Sequence, residues 1–123
     1  MATRHPRDPE ESLPLTPAEF EVLIALADGE KHGYAILKEV ARRTDGAVSL
    51  GTATLYAVLR RFVADGVLAE SDARPAAALD DERRRYFRLT DFGRRVAAAE
   101  AARMEKALAM ARSKNLVRKP RLA

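Results

Sequence analysis

The chain of 123 residues has no cysteine and only two histidines. The lack of cysteine excludes disulfide bonds, thiolate nucleophiles and cysteine metal sites, and nothing in the sequence indicates an oxidising compartment. No apolar run approaches the roughly 18 residues of a membrane-spanning helix, and the N-terminus lacks the apolar core of a signal peptide. We therefore expect a soluble cytoplasmic protein that does not enter a membrane.

Aromatic residues are also scarce, at 6% of the chain, and much of the 47% hydrophobic content is alanine. Alanine favours helices without building a thick core, and a chain of this length forms one domain. The formal net charge of +4 suits a polyanionic partner. The positions of the positive charges are nevertheless more informative than their sum.

Candidate catalytic and metal-binding groups are missing as well. His32 and His5 are far apart in the sequence, and no acidic cluster stands at ligand spacing from either. The chain shows no acid–base arrangement of serine or carboxylate residues and no glycine-rich phosphate loop. We therefore predict neither enzyme activity nor a cofactor or metal, and we assign His32 a structural or capping role at the start of a helix.

Periodic apolar residues and capping signals predict three helices in the first half of the chain. The first begins at a capping box headed by Thr16 and ends near residues 28–29. The second runs over residues 33–43. The third begins with Ser49 as its N-cap and stops at Gly66, which suits the left-handed position after a helix.

Two strand-like runs follow at residues 67–71 and 85–89, and a last helix begins after Thr90. This order predicts a mainly α fold with a small β-hairpin, namely a winged helix-turn-helix followed by a C-terminal helix. We divide the chain into a flexible N-terminal arm at 1–13, a winged-helix DNA-binding domain at 14–90, a C-terminal dimerisation helix at 91–113 and a basic flexible tail at 114–123.

The outer face of the third helix is a candidate DNA contact. Small residues in its first turn would let a duplex approach closely, and backbone N–H groups and hydroxyls there can bind phosphate. The candidate contacts on or beside this helix are Ser49, Gly51, Thr52, Thr54, Tyr56, Arg60 and Arg61. The alternative is an amphipathic core helix whose polar face is merely solvated.

An arginine cluster adjoins the second strand-like run, at Arg83, Arg84 and Arg85. Arginine at the base of a wing can bind phosphates or enter a narrow minor groove of DNA. Three acidic residues come directly before the cluster. A charge-balanced, solvated loop is therefore the alternative interpretation.

The last helix carries small and apolar residues at steps of three and four. These candidate dimerisation residues are Ala97, Ala101, Met104, Leu108 and Ala111. Because isolated helices are marginal in water, this stripe needs a partner. We predict that it pairs with the last or the first helix of a second copy, and the alternative is that it folds back onto its own domain.

Several linked motifs resemble those of the PadR-like transcriptional regulators. They are His32-Gly33-Tyr34, Gly51-Thr52-Ala53-Thr54-Leu55-Tyr56, Asp65-Gly66, Arg83-Arg84-Arg85-Tyr86-Phe87 and Leu89-Thr90-Asp91-Phe92-Gly93. The resemblance covers roughly residues 15–113 and is to short-tailed members with a single C-terminal helix. It implies a homodimeric winged-helix repressor in which the third helix reads the major groove and the arginine cluster lies on the wing.

We therefore predict a sequence-specific DNA-binding transcriptional regulator, a homodimeric repressor that occludes a near-palindromic operator in double-stranded DNA. Thr52, Thr54 and Tyr56 would contact bases, while Arg60 and the wing arginines would contact the backbone. Because some PadR-like proteins respond to aromatic acids or drug-like compounds, the resemblance also allows a small apolar or aromatic effector. The alternative function is a winged-helix protein-interaction adaptor without specific DNA binding.

Overall fold

The computed structural model describes residues 7–71 and 85–118. Within these ranges the chain is mainly helical with a small antiparallel sheet, which confirms the predicted winged helix-turn-helix with a C-terminal helix. The elements in chain order are a 3₁₀-helix at Pro9–Ser12, α1 at Pro17–Ala25, β1 at Lys31–His32, α2 at Gly33–Arg43, α3 at Thr52–Ala64, β2 at Leu68–Ser71, β3 at Tyr86–Leu89 and α4 at Asp91–Ser113.

Helix α1 begins with the predicted capping box. The Thr16 hydroxyl accepts the Glu19 N–H at 3.1 Å, and the Glu19 carboxylate accepts the Thr16 N–H at 2.8 Å. The helix ends at Ala25, earlier than predicted, because the following N–H groups bond to carbonyls three residues back, as in the 3.1 Å bond from Leu26 to Leu23.

Helix α2 has the predicted bounds, and the predicted capping role of His32 is confirmed. The Nδ1 atom of His32 accepts the Ala35 N–H at 3.2 Å. The prediction that Ser49 caps α3 is wrong. Gly51 is the N-cap, with an extended backbone at φ −74° and no side-chain cap, so only its carbonyl takes part in the first turn, accepting the Leu55 N–H at 2.9 Å.

The sheet contains the predicted hairpin of β2 and β3 and a third strand that we did not predict. The strand order is β1-β3-β2, and all neighbours are antiparallel. In β1, Lys31 lies opposite Phe87 and His32 opposite Tyr86. A strand of two residues is too short to show the alternation that marks strands in a sequence.

The turn after α3 joins the helical core to the sheet and to α4. Gly66 takes the predicted positive φ, at +79°, and the next N–H, that of Val67, bonds to the Phe62 carbonyl at 2.9 Å. The Thr90 hydroxyl accepts the Gly93 N–H at 2.9 Å and donates to the Val67 carbonyl at the same distance. The start of α4 is thereby fixed to the turn that follows α3.

One hydrophobic core unites these elements. Its buried side chains come from α1, α2, α3, the sheet and the first turns of α4, and they include Leu23, Ile36, Leu55, Leu59, Phe62, Leu68, Phe87 and Val96. Across residues 7–71 and 85–118, none of the helices combines the length and apolar content that crossing a bilayer requires.

The N-terminal segment differs in part from the predicted arm. Residues Pro9–Ser12 form a 3₁₀-helix packed on α4, and Leu13 packs against the core. The apolar side chains of Leu13 and Leu15 explain this docking, since Leu15 is buried. Residues 1–6 of the predicted arm and 119–123 of the predicted tail lie outside the described residues.

Candidate nucleic-acid interface

Helix α3 divides into a buried face and a face of small and polar residues. Leu55, Val58, Leu59 and Phe62 are buried in the core. On the opposite side Ala53, Ala57 and Ala64 are exposed, and Arg60 is the one large side chain that lies among them. Small side chains allow the α3 backbone to approach a duplex closely, as predicted for a helix that enters a groove.

A groove of about 840 Å³ separates α3 from the β2–β3 hairpin. One wall carries the predicted residues Thr52, Tyr56 and Arg60, which succeed each other at one-turn intervals along α3. The other wall contains Phe87 and the predicted Arg85. The structure therefore brings four of the predicted DNA contacts together around one groove.

Tyr56 has a packing role as well as a place on the groove wall. Its ring is partly buried, and its hydroxyl lies against the first residue of α2: a Cβ added to Gly33 would be 2.3 Å from the Tyr56 Oη. Because such a contact is too close for any side chain, Gly33 permits α2 and α3 to meet at Tyr56. Replacement of Tyr56 would thus alter helix packing together with any contact to DNA.

Arg60 and Arg61 are adjacent in sequence but differ in their surroundings. Arg60 is exposed and lines the groove, whereas the guanidinium of Arg61 pairs with the Glu19 carboxylate of α1. That ion pair directs Arg61 away from the hairpin side of α3. Thr54 and Ser49 are exposed but do not line the groove.

Arg85 stands at the base of the hairpin and is already paired. Its Nη1 lies 3.0 Å from an Oε2 of Glu70 on the neighbouring strand, and both side chains remain partly open to solvent. Phosphate would therefore have to compete with Glu70 for this guanidinium. The predicted contacts Arg83 and Arg84 lie outside the described residues. On β3, Phe87 is buried and Tyr86 is partly exposed.

Tyr34 is a surface residue that was absent from the predicted site residues. It is 62% exposed. The buried positions of α2, Gly33, Ile36 and Val40, follow helical spacing, and Tyr34 falls outside that stripe. The periodicity of α2 could therefore have identified it as a surface aromatic residue.

Helix α4 leaves the domain halfway along its length. Ala97 is partly buried against the core, while residues 101–110 are all exposed. Among the predicted dimerisation residues, Met104 is 45% and Leu108 42% exposed. The alternative that the whole helix folds back onto its own domain is therefore excluded for residues 101–110 of this chain. The apolar stripe there has no cover within the described residues.

A buried carboxylate marks the point at which α4 departs. Glu100 is only 2% exposed, and its oxygens accept hydrogen bonds from Arg103 at 2.9 and 2.7 Å and from the Leu15 N–H at 3.5 Å. The hydrogen bonds from Arg103 lower the pKa of Glu100 despite the opposing effect of burial. The charged pair thus ties the N-terminal segment to the middle of α4.

The described residues contain no group of three or more histidine or acidic side chains placed to hold a metal ion. His32 instead caps α2 and meets Tyr86 edge to face, with ring centroids 5.5 Å apart. The groups assembled around α3 are hydroxyls, guanidinium groups and small apolar side chains. Such groups suit recognition of a polyanion with a patterned surface.

The chain is similar to one known protein family and to one known protein. The profile of the Transcriptional regulator PadR-like family matches residues 22–99, more than half of the chain. An uncharacterized protein from Lysinibacillus sphaericus is 30% identical over 73 residues. The matched segment covers 59% of this chain and 64% of that protein, so the chain spans less than two thirds of this relative.

Solved structures agree on the fold. A PadR family transcription regulator from Clostridium difficile superposes with a TM-score of 0.65 at 17% identity, covering 80% of this chain and 97% of that one. Bacillus subtilis PadR, solved in complex with operator DNA, gives a TM-score of 0.57 at 16% identity, with 89% of this chain and 52% of that one covered.

Proposed function

Since the chain belongs to the transcriptional regulator PadR-like family, we propose that it is a homodimeric repressor that binds a near-palindromic operator and blocks access to it. The family consists of transcriptional regulators rather than enzymes. Operator DNA is bound by the Bacillus subtilis PadR that shares this fold. Double-stranded DNA is accordingly the proposed principal ligand.

The observation that carries the proposal is the groove between α3 and the hairpin. Thr52 and Arg60 lie on its α3 wall, and Arg85 lies at the base of the wing. With the alanine face of α3 in the major groove, Thr52, Thr54 and Tyr56 would contact base edges. Arg60 and Arg85 would contact phosphates and supply binding that does not depend on sequence.

Dimerisation is the second part of the proposal. The exposed stripe of Met104 and Leu108 on α4 would be buried against a second copy, because a helix that projects from its domain gains little stability alone. Two α3 helices held by such a dimer would enter successive major grooves about 10 bp apart. An effector bound between two such stripes would meet alanine, methionine and leucine side chains, which suit an apolar or aromatic compound.

Titration of genomic fragments from around the protein's own coding region tests the function. Binding is measured by fluorescence anisotropy across a range of salt concentrations, with random duplex as competitor. We expect one fragment to bind tightly in the presence of competitor, with an affinity that falls steeply as salt rises. If no duplex binds even at low salt, the repressor proposal fails and the protein-interaction adaptor becomes the leading hypothesis.

A further inference from the structure

The groove between α3 and the hairpin has an apolar part that the proposed DNA contacts do not use. The proposed contacts to base edges, at Thr52, Thr54 and Tyr56, belong to the first half of α3. The last turn of α3 lines the same groove with Val63, which is partly exposed, and Ala64, which is exposed. A DNA backbone offers phosphates and sugars, which gain little from such a surface. An apolar surface left open in a groove therefore indicates a further ligand.

The size and lining of the groove suit a small molecule. Its volume of about 840 Å³ falls within the roughly 300–1,000 Å³ of ligand sites in proteins. Phe87 lies on the hairpin wall but is only 4% exposed, so it offers little ring surface for stacking. The aliphatic side chains of Val63 and Ala64 are more open. The apolar part of the lining therefore suits an alkyl chain.

The charges that line the groove suit an anion. Arg60 is exposed one helical turn before Ala64, and among the residues that the structure describes it takes part in no ion pair. Arg85 pairs with Glu70 at 3.0 Å, and both of these side chains line the same groove. The described part of the lining thus carries two guanidinium groups and one carboxylate, which leaves one positive charge in excess. That balance suits a ligand with a single negative charge.

We infer that this groove is also the binding site of a small-molecule effector, an alkyl carboxylate of medium chain length, which displaces DNA. The carboxylate accepts hydrogen bonds from the Arg60 guanidinium, and the alkyl chain lies against Val63 and Ala64. Because Arg60 is a proposed phosphate contact, the effector and DNA compete for the same guanidinium. The site is distinct from the stripe on α4, so the effector acts without a change in the dimer. The inference rests on the proposed DNA-binding function and adds a regulatory ligand to the same surface.

The test begins without DNA, so that its first result does not depend on the proposed function. Isothermal titration calorimetry of the full chain measures the binding of octanoate, below its micelle concentration, and of hexanoate and decanoate. Octanol and octylammonium are the ligand controls, because they share the alkyl chain of octanoate but carry no charge or a positive charge.

Four variants locate the site. Arg60→Gln removes the proposed partner of the carboxylate, and Ala64→Glu places a negative charge where the alkyl chain should lie. Glu70→Gln removes the acidic group from the groove and releases Arg85. Lys106→Gln is the matched control, because it removes one exposed positive charge from α4, away from the groove. Thermal unfolding and sedimentation velocity establish that each variant keeps the fold and the oligomeric state of the wild type.

We expect saturable binding of octanoate, and each CH₂ added between hexanoate and decanoate should tighten binding by up to about fourfold. Octanol and octylammonium should bind about tenfold more weakly, since neither gives Arg60 an anionic acceptor. Arg60→Gln should weaken octanoate binding by about tenfold, and Ala64→Glu should weaken it as well. Glu70→Gln should tighten it severalfold, an effect that a damaged fold would not produce. Lys106→Gln should leave it unchanged.

Competition with DNA is then measured by fluorescence anisotropy of the operator fragment. Octanoate should release the fragment from the wild type, whereas octanol at the same concentration should leave it bound. Because the two ligands are linked, bound DNA should weaken octanoate binding by the same factor by which octanoate weakens DNA binding.

The possible failures of this test are distinct. If the wild type binds the operator but shows no saturable binding of octanoate, the inference is overturned and the proposed function stands. The inference is also overturned if Arg60→Gln and Glu70→Gln bind octanoate as Lys106→Gln does, because the ligand then lies elsewhere, or if saturating octanoate leaves the operator bound. If the wild type binds octanoate in the groove but no duplex at any salt concentration, the proposed function and the competition both fail, and only the binding site stands.

Discussion

The two halves of α4 belong to one helix but have opposite environments. Residues before Glu100 are fixed by the Thr90 cap, by the close approach of Gly93 to the Val67 carbonyl and by burial of Val96. Residues 101–110 are all exposed: one side lies near the N-terminal segment at Ala102, Arg103 and Lys106, and the apolar stripe is open. A segment can therefore form a helix without being buried, and only the first half of α4 is buried within its own chain.

Gly93→Ala should have the largest effect on the anchored half. A Cβ at this position would lie 2.0 Å from the Val67 carbonyl oxygen, so backbone must move. Although alanine is the better helix former, we expect the free energy of unfolding to fall by about 1–3 kcal/mol from overpacking. Urea denaturation measures this change. An unchanged or higher stability would show that the start of α4 is not tightly fixed to the sheet.

Glu100→Gln tests the boundary between the two halves of α4. Near neutral pH it should lower the free energy of unfolding by about 1–3 kcal/mol, because Arg103 and the Leu15 N–H lose their charged acceptor. The folded pKa of Glu100 lies below its ordinary value of 4.5. Its contribution is therefore complete above about pH 4.5 and is lost as pH falls through the lower folded pKa.

The test measures the free energy of unfolding of the wild type and of Glu100→Gln between pH 7 and pH 3. The difference in stability between the two proteins should shrink as the pH falls. A difference that stayed constant with pH would mean that the charge of Glu100 contributes nothing to anchoring α4.

Leu108→Asp tests whether the exposed half of α4 forms the proposed dimer interface. The side chain is 42% exposed in the single chain, so the stability of an isolated subunit should change by no more than about 0.5 kcal/mol. The proposed dimer should nevertheless dissociate, because the change places a charge in its apolar interface. Sedimentation velocity gives the oligomeric state. Lys106→Asp, on the same half but outside the stripe, is the control and should remain a dimer.

Arg60 and Arg61 repeat on α3 the contrast between a free and an anchored group, and their effects are expected to be small. Arg61→Gln should lower the free energy of unfolding by up to about 1 kcal/mol, because it removes the partly exposed ion pair with Glu19. It should change DNA affinity little. Arg60→Gln should leave stability unchanged and reduce the salt slope of DNA binding by about one. The reverse pattern in unfolding and anisotropy titrations would contradict the proposed orientation of α3.

Features set by a few neighbouring residues could be predicted from the sequence. The caps at Thr16 and Thr90 and the left-handed turn at Gly66 all formed as expected, because each depends on side chains or backbone within one helical turn. The same holds for the stripe that places Leu55 and Leu59 in the core. Element order and fold class follow from such local signals.

Contacts between distant parts of the chain could not be predicted in the same way. The two residues of β1 are a strand only because β3, more than fifty residues later, lies beside them. Arg61 was grouped with the free cations, since nothing near it in sequence indicates the pairing with Glu19. Burial of Glu100 likewise depends on Leu15, at the other end of the domain.

The unbroken run of α4 from Asp91 to Ser113 has a mechanical consequence. Its 23 residues make a rod of roughly 34 Å at 1.5 Å per residue. In a dimer whose subunits contact each other near the C-terminal end of α4, a tilt of α4 by roughly 10° would move its N-terminal end by roughly 6 Å. Each subunit would then act as a lever, so that a small repacking between the two rods changes the distance between the two α3 helices.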